Sequence, residues 1–351
     1  MRSIKFKYLF VLFVLPAFVM AGELKGKYKK EKAIHKSYTV NSNAALDIAN
    51  KYGNVFITTW DQNTTEIDVV IRVAGDDEKQ VTTRINSIDI SFSATKALVA
   101  AATKIGNVSC SGNISMEINY TVKIPKKGTI EVNNQYGGIQ TGKIYGRAVL
   151  NCQYGDVNID ELNAANNLLK LQYCGSVKIN FIKGANASVQ YSQFKLGKAS
   201  TLQIKGQYSG IEIADVEDLN YNTDYGHINA RNAGKVMGKS TYSSLKFGRI
   251  SQLLNLTTEY GDIKVDMFDP STRNIAINSS YTGINLGFAD NYPFDFEIQA
   301  EYADVSGTGG FKYSVKNEKD NAKLYKGFYR NSGVNKLFIK SDYGHIKLNR
   351  R

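Results

Sequence analysis

Histidine, cysteine, proline and tryptophan are scarce in this chain: three, three, four and one among 351 residues. Each scarcity excludes something. Three cysteines, Cys110, Cys152 and Cys174, allow at most one bridge and leave one thiol over, so no disulfide framework holds the fold. The three histidines, His35, His227 and His345, show no zinc-ligand spacing. A nucleophile elbow, a phosphate-binding glycine loop and a calcium-binding nonapeptide array are also missing. No catalytic residue, cofactor-binding residue or metal ligand is therefore assigned. Four prolines beside thirty glycines point to many short elements joined by glycine-assisted turns. Beyond residue 21 no stretch approaches the roughly 20 apolar residues of a spanning helix, so no transmembrane span is expected in the mature chain.

The first residues combine a basic start (Arg2, Lys5, Lys7) with the apolar run Tyr8 to Val19 and a small-residue boundary at Ala21. This is the pattern of a cleavable secretory signal over residues 1–21. No cysteine follows the expected cleavage point, so attachment through a lipidated cysteine has no acceptor. The formal net charge is +12, and removing the three basic residues of the leader leaves about nine. An exported basic protein meets anionic glycans, lipopolysaccharide and phospholipid headgroups rather than nucleic acid. The basic residues are spread along the chain, however, as on an ordinary solvated surface.

What the chain has in abundance is tyrosine, 22 in all, and most of them recur in one motif. A tyrosine is followed by a small residue and then an alternating apolar pair, as in Tyr154-Gly155-Asp156-Val157-Asn158-Ile159 or Tyr260-Gly261-Asp262-Ile263-Lys264-Val265. The motif tyrosines are Tyr52, Tyr136, Tyr154, Tyr173, Tyr191, Tyr208, Tyr225, Tyr242, Tyr260, Tyr281, Tyr302 and Tyr343, and from Tyr136 to Tyr302 the spacing stays between 17 and 21 residues. Such a period is the signature of a repeat architecture. The residue four before the tyrosine is mostly apolar (Val132, Leu150, Leu169, Ile204), and those three and five after it form pairs such as Val157/Ile159 and Ile263/Val265. Two short strands per repeat follow, with a corner between them where the apolar parity changes. The fold class is accordingly all-β, a parallel β-helix or solenoid of repeats of about 18 residues, with an amino-terminal antiparallel β region. Twelve coils stacked at about 4.8 Å would make a rod of the order of 60 Å.

Stacked coils place equivalent side chains above one another, which predicts ladders. Gln135, Gln153, Gln172, Gln190 and Gln207 immediately precede five successive motif tyrosines, and their amides should bond along the rod. The same column then reads Asp224, Thr241, Glu259, Ser280, Glu301, Asp342. If tyrosine keeps the parity of the apolar residue four before it, its ring points inward, and the stacked rings are expected to be core. Turned outward, they would instead form an aromatic platform for sugar rings, with Tyr136, Tyr154, Tyr173, Tyr191, Tyr208, Gln153, Gln172 and Gln190 as its candidate ligand-binding residues. The small residue after the tyrosine is expected to supply the unusual backbone angles of the corner. His227 and His345 both lie two residues after a motif tyrosine, where Asp156 and Asp262 also occur, and are read as polar corner residues.

Residues 58–125 interrupt the period with long alternating strands, Ile67 to Val73 and Ile114 to Ile124, and an ambiguous alanine-rich piece around Ala97 to Ala102. They read as a β region that covers the aggregation-prone open end of the solenoid. The organisation expected is therefore a signal peptide at 1–21, an amino-terminal β region with the first coil at 22–125, and solenoid repeats at 126–351. The 41 residues between Tyr302 and Tyr343 would hold two coils, but the charged stretch Lys316 to Lys326 suggests one excursion from the rod.

The segment Tyr120-Thr-Val-Lys-Ile-Pro-Lys-Lys-Gly-Thr-Ile-Glu-Val-Asn-Asn-Gln-Tyr-Gly-Gly-Ile, followed by iterated Tyr-Gly-Asp-Val-Asn-Ile units, resembles a family of bacterial proteins of unknown function called putative adhesins, which are similar to the head domain of autotransporter adhesins. Leu46 to Trp60 looks like that family's opening strand pair, and the abundance of tyrosine before glycine suggests a Bacteroidetes-type member. The resemblance implies a non-catalytic cell-envelope protein, adhesin-like or structural, binding glycans or envelope polymers, located in the periplasm, at the outer membrane or on the cell surface. The competing reading is a polysaccharide lyase or glycosidase on a parallel β-helix. Asp224, Glu259 and Glu301 share a column on alternate coils, and two coils span roughly 10 Å, near the upper limit for an inverting carboxylate pair.

Overall fold

The computed structural model describes residues 24–109 and 112–351; the expected leader at 1–21 and Cys110 lie outside the described residues. Each motif tyrosine joins two strands. β2 (Ala45–Lys51) and β3 (Val55–Trp60) flank Tyr52, β8 (Ile130–Gln135) and β9 (Ile139–Ile144) flank Tyr136, and β10 (Ala148–Gln153) and β11 (Val157–Leu162) flank Tyr154. Within the rod, strands before the tyrosine pair with their equivalents in parallel: Leu150 lies opposite Val132 on one side and Leu169 of β12 (Asn167–Gln172) on the other. Strands after it do the same, Val157 lying between Ile139 and Val177 of β13 (Val177–Gln190). The solenoid continues through β14 (Gln193–Gln207), β15 (Gly210–Phe268) and β16 (Asn274–Phe288). Alternation decides which side chains go inside. Val132, Leu150 and Leu169 are fully buried, as are Val157 and Ile159 across the corner, each contributing about 1.5–3 kcal/mol by burial.

The corner works differently from the sequence expectation. All twelve motif tyrosines occupy the left-handed region, with φ between 49° and 60°, while the glycines that follow them keep ordinary angles. A left-handed residue costs about 1–2 kcal/mol in an L-amino-acid chain. It also turns the chain enough that the apolar sets before and after it face one core. The tyrosine sits at the apex of that turn and leaves the alternation, so its ring points outward, and the expectation of a tyrosine core is overturned: the twelve rings are 38–51% exposed. The following glycine serves close approach. A Cβ on Gly137 would lie 1.9 Å from Gly53 O, and one on Gly155 1.9 Å from Gly137 O. Elsewhere a serine takes that place, with Ser192 Oγ donating to Gln190 O at 2.7 Å and accepting from Cys174 N at 2.9 Å.

Both ends of the rod are closed by antiparallel strands. At the amino-terminal end β6 (Leu98–Ile105) extends the β2 column in parallel and β7 (Ile114–Pro125) extends the β3 column. The ambiguous alanine-rich piece is thus a strand. β5 (Ile88–Ala94) then caps β6, β4 (Thr64–Gly75) caps β7, and β1 (Tyr28–Thr39) forms the edge, all antiparallel. Lys29, Lys30, Lys32 and Lys36 on β1 discourage pairing with another chain. The helix α1 (Glu78–Asn86) was not foreseen. Asp77 caps it, its Oδ1 accepting from Gln80 N at 3.1 Å, and Val81 and Ile85 enter the core.

The carboxyl-terminal end departs from sequence order. β16 pairs with β20 (Lys336–Arg350), and β20 in turn with β17 (Phe294–Ser306), so the last coil in sequence is inserted between two earlier ones. The excursion expected near Lys316 to Lys326 is a hairpin, β18 (Lys312–Lys319) and β19 (Ala322–Tyr329), and β19 caps β17 antiparallel. Phe294, Phe296, Phe311 and Tyr329 pack as one aromatic cluster beneath it. Asp290 ties the pieces together: it accepts from Tyr329 Oη at 3.0 Å, pairs with Arg330 after the hairpin, and meets Arg350 Nε of the inserted strand at 3.4 Å.

Two measurements check these assignments. Tyr154→Ala loses stacking on both sides and keeps the left-handed strain, whereas Tyr154→Gly relieves that strain, so glycine should retain more stability by about 1 kcal/mol in denaturant unfolding. A core tyrosine would give the reverse order. The Tyr329 hydroxyl first, and then Arg330 and Arg350, hold the Asp290 carboxyl below its usual range. Because the folded value is depressed, the stabilisation is complete above the unfolded value of about 3.9 and lost as pH falls through the lower folded value. Asp290→Asn should therefore melt below the parent protein at neutral pH, and the gap should close in acid.

Candidate functional site

The outward tyrosines form one uninterrupted stack. From Tyr52 to Tyr281 each ring lies on the next at 4.8–5.2 Å between centroids, with planes 2–13° apart. The inserted Tyr343 then stacks on Tyr281 at 4.8 Å and on Tyr302 at 4.9 Å. Tyr136, Tyr154, Tyr173, Tyr191 and Tyr208, the candidate platform, are 45–50% exposed. Their faces are already occupied by one another. What the ladder offers a ligand is therefore ring edges and a row of phenol hydroxyls, rather than flat faces for sugar stacking. Tyr343 has its phenol held above the ordinary range, first by loss of hydration and then by Tyr281, Tyr302, Glu301 and Asp342 beside it.

On the side preceding the tyrosines, the glutamine amides form one directional chain. Gln135 Nε2 donates to Gln153 Oε1 at 3.2 Å, Gln153 to Gln172 at 2.5 Å, Gln172 to Gln190 at 2.7 Å and Gln190 to Gln207 at 3.0 Å. Aligned amides polarise each other, so the chain carries a net dipole. Its ends meet matching charges: Gln135, whose Oε1 is the terminal acceptor, is in register with Lys51, and Gln207, whose Nε2 is the terminal donor, with Asp224. Beside this chain lies a shallow groove of about 500 Å³ that includes Lys51, Asn133, Asn151, Lys170 and Ser188. Asn151 Nδ2 donates to Asn133 Oδ1 at 2.5 Å within it.

On the other side of the ladder runs a third column. Strand register aligns Asn54, Gly138, Asp156, Ser176, Gln193, Gly210 and then, past β15, Asp262, Gly283, His345. His227 and Ser244 fill the two intervening coils. From Asn54 to His345 large polar and small residues alternate, coil by coil, and every large one is exposed; Asp304, in register with His345, ends the alternation. The small positions make room for the large. Asn54 Oδ1 accepts from Gly138 N at 2.8 Å and Asp156 Oδ1 from Ser176 N at 2.9 Å. A Cβ on Gly210 would meet Gln193 Oε1 at 2.3 Å and His227 Cε1 at 2.7 Å, and one on Gly283 would meet His345 Cε1 at 2.8 Å and Asp262 Oδ1 at 2.9 Å. The sequence reading placed the histidines in this column but did not order its large and small members.

The insertion of β20 between β16 and β17 changes the carboxylate spacing. Ser280 and Asp342 both stand between Glu259 and Glu301, so those two carboxylates are three coils apart, about 14 Å, rather than two. This exceeds the span of an inverting pair. Among the described residues no group of three or more His, Cys, Asp or Glu side chains is arranged to hold a metal, and no helix is long and apolar enough to cross a membrane. Cys152 and Cys174 are buried free thiols on neighbouring coils, and the Cys174 thiol together with burial pushes Cys152 up, which keeps it protonated.

Solved structures described as putative adhesins, from Parabacteroides distasonis and Bacteroides fragilis, are each 11% identical over 91% of this chain and 97% of theirs, with TM-scores of 0.33 and 0.29. One described as a putative cell adhesion protein, from Clostridium sporogenes, is 10% identical over 92% of this chain and all of its own, with a TM-score of 0.19. No curated relative matches the sequence. The model of one family does match, over residues 23–349, which is nearly all of the solenoid and both of its caps, and the chain accordingly belongs to the Toastrack DUF4097 family.

Proposed function

We propose that this protein is a non-catalytic, adhesin-like module of the bacterial cell envelope that binds glycans or envelope polymers along its tyrosine ladder. Residues 1–21 act as the export leader, 22–125 as the cap with the first coil, and 126–351 as the repeats that present the ligand-binding face. The observation that carries this reading is the ladder itself: twelve half-exposed rings in one stripe, running the length of the coils. Soluble monomers rarely leave a contiguous apolar stripe of more than a few hundred Å² in water unless it meets a partner. The chemistry beside it is of the kind sugars require. Phenol hydroxyls and the glutamine amides supply donors and acceptors, ring edges cover apolar sugar C–H groups, and the groove with Lys51 and Lys170 suits acidic substituents such as those of lipopolysaccharide. The platform residues Tyr136, Tyr154, Tyr173, Tyr191, Tyr208, Gln153, Gln172 and Gln190 are the proposed contacts.

A glycan-array assay on residues 22–351, at low and at physiological salt, tests the reading. Selective binding should survive the higher salt, since hydrogen bonds and ring contacts are screened less than charge attraction. Gln153→Leu with Gln172→Leu should weaken that binding about tenfold, equivalent to about 1.4 kcal/mol, without changing the fold. Binding to every anionic glycan alike, vanishing with salt, would instead leave a basic surface and no built site.

A further inference from the structure

We infer that the ligand of the ladder is an extended, two-fold β-1,4-linked glycan lying parallel to the rod axis and read once per disaccharide. The inference rests on the glycan-binding reading and deepens it. Its basis is that the two flanks of the ladder have different periods. The tyrosine hydroxyls repeat at every coil, as do the amides from Gln135 to Gln207 on one flank. On the other flank, over the coils from Tyr52 to Tyr343, a large polar side chain stands at every second coil: Asn54, Asp156, Gln193, His227, Asp262 and His345, each separated from the next by a glycine or serine, until Asp304 follows His345 directly. The flanking groups therefore recur at two coil rises, about 10 Å.

A ligand that satisfies both flanks must repeat its outline every coil and its hydrogen-bonding pattern every two coils. Extended β-1,4-linked pyranose chains have this property. Each sugar advances by close to one coil rise, and successive sugars are turned by half a revolution, so the same ring substituent faces the same side only at every second sugar. A chain laid along the ladder places each ring against a tyrosine edge while alternate substituents meet the large polar side chains. The small positions between them leave space for the substituents that point toward the rod. α-Linked chains, which wind, lose register within a few coils. Two of the polar side chains are also held in place before any ligand arrives, as Asn54 and Asp156 are bonded to the backbone N–H of the next coil. Such preorganisation lowers the entropy lost on binding.

The test is calorimetric titration of the intact chain with β-1,4-linked N-acetylglucosamine oligomers of two to eight sugars, with α-1,4-linked glucose oligomers as controls. Affinity should rise stepwise, about tenfold for each added pair of sugars and little for the odd sugar between, with no such series for the α-linked oligomers. His227→Ser combined with Asp262→Ser should remove the advantage of the longest oligomers and leave the thermal midpoint where it was. A purely structural column would move the midpoint and not the length dependence. Affinity that grows evenly with every sugar would overturn the two-coil reading while keeping the glycan-binding one. Failure to bind β- or α-linked glycans of any length would overturn both. Dimerisation that the same substitutions abolish, without oligosaccharide binding, would assign the ladder to a second copy of the chain instead.

Discussion

Every coil of this protein must bring two strands with opposite apolar parity to face one core, and the only soft degrees of freedom available are the dihedrals of the residues between them. A single residue in the left-handed region solves the problem, and here that residue is always tyrosine. Asparagine or glycine would reach the same angles more cheaply. Tyrosine offsets the strain through its neighbours: an interior ring stacks on two others, and an aromatic pair contributes about 0.5–1.5 kcal/mol beyond burial. Corner conformation and ladder are thus coupled, since each ring is placed by its strained backbone and each strained backbone is supported by stacked rings above and below.

The same dependence explains why the rod needs closing at both ends. A terminal coil presents unpaired backbone groups and an unpartnered apolar column, and the fold answers both times with antiparallel strands rather than further coils. At the amino-terminal end β4, β5 and the lysine-bearing edge β1 do this. At the other end the chain first leaves the rod to build the β18–β19 hairpin over β17, then returns to lay β20 between β16 and β17. Asp290, placed between the hairpin and the inserted strand, joins the two operations with its hydroxyl and guanidinium partners.

Once the core is complete, the surface divides into columns with separate chemistries. The tyrosines supply a continuous apolar edge with regularly spaced hydroxyls. The glutamines form a polarised chain that ends near a lysine at one end and an aspartate at the other. The column on the opposite flank supplies large polar side chains at double spacing from Asn54 to His345. None of these needs an enclosed cavity, and a one-dimensional array of this kind suits a one-dimensional ligand.

Much of this was legible in the sequence. Period-two alternation and the interval of 17–21 residues identify the strands, the buried columns and the stacking of coils, because both are local consequences of strand geometry. The glutamine run before five tyrosines gives the amide chain for the same reason, and the charged segment near Lys316 marks the excursion. The helix at Glu78–Asn86 escaped notice because it is short, weakly apolar and set among strands, although Asp77 with Glu78 is a recognisable start. Two things were decided by tertiary structure alone. A parity change shows that the chain bends but not which residue takes the left-handed angle, so the tyrosines' outward direction depended on the backbone at the corner. Nor does a repeat state its neighbours: equivalent coils can pair in any order that closes the ends, and the position of Tyr343 between Tyr281 and Tyr302 was set by the geometry of the carboxyl-terminal cap.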